Sequence, residues 1–246
     1  MYGGFARMYD ALMTDAPYEI WAAYIDGLLG EWFKGATDTP LVLDLACGTG
    51  NITLRLAKAG YDLIGVDASE DMLAEAQRKA YEEKAKILFL AQDMRELDLY
   101  GTIDAAVCVC DGMNYILTPE DLLTVFKRVR LFLNPGGVFI FDMNTEYKFK
   151  ELLKDSVFED QGNNGESYVW ENHYDPHTMI NEYRMLFYTM GEGEPFTELH
   201  RQRAYPPADI CNMLMEAGFS AVSMRDGYSG EPFKEDCVRV VFIAAV

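Results

Sequence analysis

A glycine-containing segment at residues 43–50, Leu-Asp-Leu-Ala-Cys-Gly-Thr-Gly, has residue types and spacing that could bind a ligand close to the backbone. An apolar run leads into it and a helical pattern follows it. Gly48 and Gly50 carry no Cβ, so a ligand can lie directly against the main chain. A strand, a glycine turn and a helix in this order place that ligand at a helix N-terminus. By itself, the glycine pair indicates only a nucleotide near the start of a helix.

Three side chains around this turn narrow the class of ligand. Asp67 ends the next apolar run, 17 residues after Gly50, and a carboxylate there can accept hydrogen bonds from both hydroxyls of an unphosphorylated ribose. The pyrophosphate-binding form of the motif has a third glycine where this chain has Thr53. Asp44 is unfavourable beside a pyrophosphate and favourable beside a cationic amino-acid group, although it could also merely orient the turn. These residues favour S-adenosylmethionine (SAM) over NAD.

Four segments, in order, resemble the motifs of class I SAM-dependent methyltransferases. Residues 43–50 resemble the first motif, and residues 65–73 resemble the ribose-binding motif that follows it. Residues 91–94 resemble the segment whose acidic residue faces the adenine amino group, and residues 133–138 resemble the turn that enters the fifth strand. The resemblance covers about residues 40–143 and, through the last strands, extends to the C-terminus. It implies an enzyme that transfers a methyl group from its cofactor, SAM.

The resemblance also implies which residues hold the cofactor. Gly48 and Gly50 would pass under the methionine part of SAM, Asp67 would hold the ribose, and Asp93 would contact the adenine edge. Tyr9 lies in a segment that resembles the N-terminal Tyr-Asp segment of small-molecule N- and O-methyltransferases, and it would fold over the cofactor. Packing in the core is the alternative for Tyr9 and for the two methionines of the set. The predicted cofactor-binding residues are Tyr9, Asp44, Ala46, Gly48, Gly50, Asn51, Asp67, Ala68, Ser69, Met72, Gln92, Asp93, Met94 and Asp111, with Tyr18 and Trp21 as further candidates.

The segment after the fourth predicted strand, residues 110–115, is expected to lie near the methyl donor and the acceptor. The chain lacks both the Asn-Pro-Pro-Tyr motif, which suits amino groups of adenine or glutamine, and the paired Pro-Cys signature of RNA cytosine C5 enzymes. Methyl transfer from a sulfonium requires positioning and exclusion of water, and it needs a base only when the acceptor must lose a proton. The predicted catalytic residues are Asp111, Tyr115 and His200, and the other acceptor-side candidates are Asn114, His173, Arg201 and Tyr205.

Alternating strand-like and helical patterns predict the α/β fold that would position these residues. Seven apolar runs are rich in Val, Ile, Leu and Phe, as is typical of strands buried on both faces. The predicted architecture is a seven-stranded, mostly parallel, doubly wound sheet with the last strand antiparallel. The strands are predicted at residues 41–45, 63–66, 87–91, 103–109, 138–143, 221–224 and 238–244, and the helices at 18–33, 51–59, 69–82, 119–133 and 207–217.

An inserted region after the fifth strand interrupts this alternation. Three of its runs alternate polar with apolar or aromatic residues, which predicts an antiparallel sheet. Such an insertion lies at the carboxyl edge of the core sheet, where ligands bind, so we expect it to act as a lid; a decorative or oligomerising sheet is the alternative. The runs span residues 167–174, 179–190 and 196–203, with turns predicted at 175–177 and 191–195.

Aromatic residues and two histidines stand out within the insertion. The aromatic side chains could line an apolar acceptor pocket, or they could simply pack a small sheet. For the histidines, His173 and His200, a surface or cross-strand position is the alternative to a role as base. The aromatic residues concerned are Tyr168, Trp170, Tyr174, Tyr183 and Phe187.

The length of 246 residues fits one methyltransferase domain, residues 1–246. Within it, we predict an N-terminal helical cap at about residues 1–37 and a Rossmann-like core at about 38–144 and 205–246. The inserted β lid occupies about residues 145–204.

Charge and composition exclude several functions. The net charge of −19 favours solubility and opposes nucleic acid as a partner, because phosphate binding relies on Lys and Arg. No apolar run reaches the roughly 18 to 20 residues of a membrane helix, and the N-terminus lacks the apolar stretch of a signal peptide, so we expect a cytoplasmic protein with no membrane partner. The five cysteines include no Cys-x-x-Cys pair, so we expect reduced thiols and no metal.

The methyl acceptor itself stays open at this point. A small molecule methylated at nitrogen or oxygen is the main hypothesis. The alternatives are methyl transfer to a protein or RNA partner, a non-catalytic SAM-binding protein and, less favoured, an NAD-dependent oxidoreductase. The sequence does not distinguish a monomer from a dimer.

Overall fold

The computed structural model describes residues 6, 9, 10, 13, 15–161, 167–188 and 196–246. Among these, no helix is long and apolar enough to cross a membrane. The helices are α1 (Tyr18–Trp32), α2 (Asn51–Ala59), α3 (Glu70–Glu83), α4 (Pro119–Phe132) and α5 (Pro207–Glu216). The strands are β1 (Leu41–Leu45), β2 (Asp62–Asp67), β3 (Leu88–Ala91), β4 (Ile103–Cys108), β5 (Leu133–Asn144), β6 (Val157–Gln161), β7 (Ser167–Asp175), β8 (Ile180–Tyr188), β9 (Phe196–Arg203), β10 (Ala221–Asp226) and β11 (Arg239–Ala245).

The core sheet has seven strands in the order β10-β11-β5-β4-β1-β2-β3. The first five strands of the chain pair in parallel, whereas β11 runs antiparallel to both β5 and β10. The predicted α/β class and the antiparallel last strand are therefore confirmed. The carboxyl ends of β1, β2, β4 and β5 meet at one edge, which is where the turns singled out in the sequence lie.

Helices cover both faces of the core sheet because strand residues alternate between two apolar clusters. Leu43 and Leu45 of β1 belong to the cluster that contains residues of α4 and α5, whereas Val42 belongs to the cluster that contains residues of α1 and α2. Ala106 and Val107 of β4 divide in the same way. The central strands are thus buried on both faces, which is the physical reason for their near-continuous apolar sequence.

Local capping fixes where the helices begin and end. Ser69 Oγ accepts a hydrogen bond from Met72 N at 3.3 Å at the start of α3. Thr118 caps α4 in the same way, and Pro119 is the first residue of that helix. Gly60, with φ 107°, ends α2 in a left-handed conformation. These local signals explain why the predicted helix boundaries agree closely with the observed ones.

The insertion forms a separate antiparallel sheet of four strands in the order β6-β7-β8-β9. The sequence predicted three strands and missed β6, because Val-Phe-Glu-Asp-Gln has apolar side chains only at its first two positions. Pairing with β7 defines this strand and sets Phe158 opposite Trp170. The turn predicted at residues 175–177 is confirmed between β7 and β8, and the turn predicted at 191–195 lies outside the described residues.

One face of the inserted sheet lines a cavity, and the other face is exposed. Cross-strand register sets His200 opposite Tyr183 on one face, while Arg201 and His173 both lie opposite Glu182 on the other. Successive side chains of a strand point to opposite faces, so His173 and His200 are on different sides of the sheet. The face with Tyr183 and His200 contributes to a cavity, and the other face carries the exposed Arg201–Glu182 ion pair and the exposed His173–Asp155 hydrogen bond.

Candidate active site

A cavity of about 870 Å³ lies at the carboxyl edge of the core sheet. Its wall is built from the N-terminal segment, from the turns after β1, β2, β3 and β4, and from the inner face of the inserted sheet. All of the predicted cofactor-binding residues except Gly50 line it, and so do Asp111, Tyr115 and His200. The fold therefore brings most of the predicted cofactor-binding residues and the three predicted catalytic residues to one place.

The turn after β1 has a left-handed backbone at Ala46 (φ 58°), Gly48 (φ 54°) and Gly50 (φ 76°). Gly50 does not line the cavity. It precedes α2, and a Cβ there would lie 3.1 Å from Ala76 Cβ, so the absence of a side chain lets α2 and α3 pack closely. Gly48 lines the cavity, and its backbone N–H is held by Asp67. Ala46 keeps a positive φ without being glycine, as strained residues at binding sites often do.

Asp67, at the end of β2, holds this turn. Its carboxylate accepts hydrogen bonds from the backbone N–H of Gly48 (N–Oδ2 2.8 Å) and of Ser69 (N–Oδ1 2.8 Å). Burial raises the pKa of Asp67 above its ordinary value, and these backbone donors oppose the shift. Each carboxylate oxygen has a second lone pair, so the side chain can fix the turn and still accept two hydroxyl donors.

Asp44 is buried beneath the same turn, on β1. It accepts a hydrogen bond from Thr53 Oγ1 at 2.5 Å, so the residue that stands in place of the third glycine orients the carboxylate. Burial raises the pKa of Asp44 to about 7, and the charge of Asp67 acts in the same direction. A cation in the cavity would stabilise the ionised form of Asp44.

Asp10, which the sequence analysis did not include among the site residues, ties the N-terminal segment to the glycine turn. Asp10 Oδ1 accepts hydrogen bonds from Thr49 Oγ1 at 2.7 Å and from Asn51 Nδ2 at 2.8 Å. Asp10 Oδ2 pairs with Lys79 Nζ at 2.7 Å. These contacts place the adjacent Tyr9 in the cavity wall. The available signal was the Tyr-Asp pair itself, of which only the tyrosine was assigned a role.

The turn after β4 places Asp111 in the wall of the cavity. Cys110 and Asp111 both have a positive φ, 68° and 55°, which persists only when the surroundings enforce it. Asp142 on β5 does so by accepting a hydrogen bond from Asp111 N at 2.8 Å. The next residue, Gly112, has no room for a side chain, because a Cβ there would lie 2.7 Å from Cys108 Sγ.

Arg239, the first residue of β11, binds both aspartates. Its Nη2 donates to Asp111 Oδ1 at 2.8 Å, and its Nη1 donates to Asp142 Oδ2. Gln202 Nε2 donates to Asp111 Oδ2 at 2.5 Å, and the guanidinium lies 5.3 Å from the ring centroid of Trp21. Burial would raise the pKa of Asp111, but the charge of Arg239 holds it below its ordinary value. Sequence reasoning missed Arg239 and Gln202, because they are isolated polar residues 128 and 91 positions from Asp111.

Tyr115, Tyr183 and His200 form a polar aromatic cluster in the cavity wall. The two tyrosine hydroxyl oxygens are 2.5 Å apart, and Tyr115 OH lies 3.2 Å from His200 Nδ1. The rings of Tyr183 and His200 stack with centroids 4.8 Å apart. Burial lowers the pKa of His200 to about 4, so the imidazole is neutral at physiological pH. Tyr115 and His200, two of the three predicted catalytic residues, are therefore in contact in the cavity wall.

The other acceptor-side candidates do not line the cavity. Asn114 is buried, and its side-chain amide donates to the backbone oxygens of Asn144 and Arg203. Tyr205 OH donates to Ile116 O at 2.6 Å. His173 and Arg201 lie on the outer face of the inserted sheet, each beside an acidic residue. These four positions are explained by packing and by polar contacts on the exposed face of the sheet.

The aromatic residues of the insertion divide between the cavity and the sheet packing. Trp170 and Tyr183 line the cavity. Tyr168 and Phe187 pack in a small apolar cluster beside α3, and Tyr174 packs against the turn that follows β5. Two of the five aromatic residues therefore line the cavity, and three pack within or beside the inserted sheet.

Comparison with known proteins identifies the family. Residues 42–137 match a family described as a methyltransferase domain. The Bacillus subtilis (strain 168) protein named "Putative methyltransferase YqeM" is 40% identical over 222 residues, which cover 89% of this chain and 86% of that protein. The crystal structure of a S-adenosylmethionine-dependent methyltransferase from Clostridium acetobutylicum ATCC 824 is 31% identical, with a TM-score of 0.88 and coverage of 100% of this chain and 98% of that one. This chain belongs to the SAM-dependent methyltransferases.

SAM is accordingly the cofactor of this methyltransferase. A further solved structure, that of the sugar N-methyltransferase KedS8 from Streptoalloteichus sp ATCC 53650, has a TM-score of 0.78 at 21% identity and covers 100% of this chain and 92% of that one. At this identity the likeness shows the shared fold alone.

The residues present fit SAM, because Asp67 offers a carboxylate with free lone pairs and Asp44 offers a second, buried one whose ionisation a cation would favour.

Proposed function

We propose that this methyltransferase transfers the methyl group of SAM to a nitrogen or oxygen atom of a small molecule bound under the inserted sheet. The observation that carries the proposal is one continuous cavity, which extends from Gly48 and Asp67 to Tyr183 and His200. Cofactor and acceptor would then share one space that holds them in line and limits the access of water. Such positioning supplies most of what methyl transfer requires.

The cofactor would occupy the end of the cavity nearest β1, β2 and β3. Asp67 would accept hydrogen bonds from the ribose hydroxyls, and Asp44 would face the cationic amino group of the methionine part. Asp93, whose carboxylate is oriented by Arg95 (Nη2–Oδ2 2.5 Å), would face the adenine edge. Tyr9 would cover the cofactor. The remaining residues proposed to contact SAM are Ala46, Gly48, Asn51, Ala68, Ser69, Met72, Gln92, Met94 and Asp111.

When bound, SAM supplies an electrophilic methyl group on a sulfonium, and the protein contributes position and polarity. Asp111, fixed by Arg239 and Gln202, would orient an N–H or O–H of the acceptor. Tyr115 and His200 would hydrogen-bond it from the inserted sheet. A general base works best when its pKa lies near the operating pH. Because the pKa of His200 is about 4, this imidazole is too weak a base to remove a proton from the acceptor at neutral pH. An amine acceptor would therefore react as its free base.

Charge and wall chemistry support a small-molecule acceptor over a macromolecule. The net charge of −19 opposes binding of a polynucleotide. The acceptor end is walled by side chains such as Trp170 and Met185 from the inserted sheet. The same fold serves a sugar N-methyltransferase, KedS8, which is consistent with an acceptor of that size.

The proposal is tested by incubating the protein with SAM and a library of small amines, alcohols and hydroxy acids. At least one library member is expected to give S-adenosylhomocysteine (SAH) together with a methylated product, measured by mass spectrometry. SAH formation that occurs only with a protein or RNA fraction would contradict it.

The same assay tests the acceptor wall with a matched pair of histidine variants. His200→Ala removes a cavity side chain, so kcat/KM is expected to fall about tenfold, the effect of losing about one hydrogen bond in the bound state. His173→Ala changes the outer face of the same sheet and should leave kcat/KM unchanged. Equal effects of the two variants would remove His200 from the proposed site.

Asp44 predicts a pH dependence of cofactor binding. Its pKa is about 7 in the cofactor-free protein, and a cationic amino group favours the ionised form, so SAH should bind about tenfold more tightly at pH 8 than at pH 6. Affinity is therefore lost as the pH falls through 7. Calorimetry of the Asp44→Asn variant over the same pH range measures the pH dependence that comes from the ligand itself. This contribution is then subtracted from the wild-type profile. A wild-type profile no steeper than that of the variant would contradict the contact.

A further inference from the structure

Lys148, which the sequence analysis did not single out, lines the acceptor end of the cavity. It is the first residue of a π-helical turn, Lys148–Leu153, that follows β5. Its ammonium donates a hydrogen bond to Asn144 Oδ1 at 2.8 Å. Across the described parts of the chain, no carboxylate oxygen lies within 4.0 Å of this ammonium.

Asp111 and Asp142 attract the Lys148 ammonium, but within the described ranges neither forms an ion pair with it. Arg239 binds both Asp111 and Asp142, and Gln202 binds the second oxygen of Asp111. The Lys148 ammonium, by contrast, donates to the neutral side-chain amide of Asn144. Burial lowers its pKa, with Asp111 opposing the shift and Arg239 adding to it. A half-buried ammonium in this position is stabilised by an anion that enters the cavity.

We propose that Lys148 binds a carboxylate of the methyl acceptor, and hence that the acceptor is a small carboxylic acid that carries the amine or hydroxyl to be methylated. This inference rests on the proposed function and narrows its substrate class. The neighbouring wall suits such a molecule, because Trp170 and Tyr183 can contact its apolar part while Asp111 faces the group that receives the methyl.

The negative net charge of the protein means that an anionic acceptor needs a positively charged residue in the cavity. A chain with a net charge of −19 repels anions, so an anionic acceptor requires a cation inside the cavity. Arg239 is occupied by two aspartates, and Arg95 pairs with Asp93 and Asp121 near the predicted adenine site. Among the basic residues that the structure describes in the cavity wall, Lys148 is therefore the one that can bind a carboxylate without breaking an existing ion pair.

The test uses benzoate as a carboxylate probe and benzamide as its neutral counterpart, with SAH already bound to the protein. Calorimetry should show that wild-type protein binds benzoate more tightly than benzamide. Lys148→Met is expected to weaken benzoate about tenfold or more, the range for a charged hydrogen bond, and to leave benzamide unchanged. Lys148→Arg, which keeps the charge, should retain part of the preference.

Lys150→Met is the matched control, because Lys150 is exposed on the same turn and its replacement changes the net charge equally. It should bind benzoate as the wild type does. Equal binding of benzoate and benzamide by the wild type, or equal benzoate binding by wild type and Lys148→Met, would overturn the inference. Weakening of SAH itself by Lys148→Met would also overturn it, since the lysine would then belong to the cofactor.

Failure of this inference is distinguishable from failure of the proposed function. Turnover of only neutral or cationic small molecules would overturn the carboxylate and leave small-molecule methylation standing. A benzoate preference that depends on Lys148, in a protein whose turnover requires a macromolecule, would contradict the proposed function and support the carboxylate site.

Discussion

Replacing Arg239 with methionine is expected to lower the free energy of unfolding by about 3 to 5 kcal/mol, the usual cost of removing one partner from a buried ion pair. The variant leaves Asp111 and Asp142 buried without their shared cation. Asp111 also sits in a left-handed turn that these contacts maintain. Methyl transfer should fall with stability, because the residue proposed to orient the acceptor loses its anchor.

Urea unfolding followed by circular dichroism measures this effect, and activity is assayed at a temperature where the variant is folded. Arg201→Met is the control, because Arg201 pairs with Glu182 on the exposed face of the inserted sheet. Its change in the free energy of unfolding should be at most about 1 kcal/mol, as for other exposed ion pairs. A similar loss in both variants would show that the buried cluster contributes no more than a surface pair.

Replacing Asp67 with alanine is expected to weaken SAH binding by about 1 to 3 kcal/mol, or about five- to 150-fold in Kd. The ribose hydroxyls would lose their acceptor, and the glycine turn would lose the carboxylate that binds the N–H groups of Gly48 and Ser69. Calorimetry with SAH gives the change directly. NADH is expected not to bind to either protein.

Asp62→Ala is the matched control for this prediction. Asp62 is the exposed first residue of the same strand, β2, so its removal changes the charge equally without touching the cavity. Its Kd for SAH should stay within about twofold of the wild-type value, a difference of about 0.4 kcal/mol. An Asp67→Ala protein that binds SAH as tightly as Asp62→Ala would show that the ribose is held elsewhere.

Much of the core fold follows from local sequence. The seven runs of apolar residues became the seven strands of the core sheet. Caps such as Ser69, Thr118 and Gly60 act over a few residues, so their effect is legible in sequence. β6 was missed for the converse reason, since its pairing with β7 defines it and its own side-chain pattern does not.

In the candidate site, too, residues placed by local sequence could be predicted, and residues placed by strand pairing could not. Asp44, Gly48 and Asp67 stand at fixed places relative to strands and turns, and the structure places all three in the wall of one cavity. The positions of His173 and His200 could not be distinguished in this way. Their opposite faces follow from the register among β7, β8 and β9, which depends on pairing between strands.

The sequence by itself determined the order of strands and helices in the core, the glycine turn with its flanking carboxylates, and the resemblance that implied SAM. Each of these depends on residues that are close together in the chain. Only the tertiary structure decided that Arg239, Gln202 and Lys148 converge around Asp111. The reason is physical: a buried charge is tolerated where a partner compensates it, and that partner can come from any part of the chain that the packed sheet brings near.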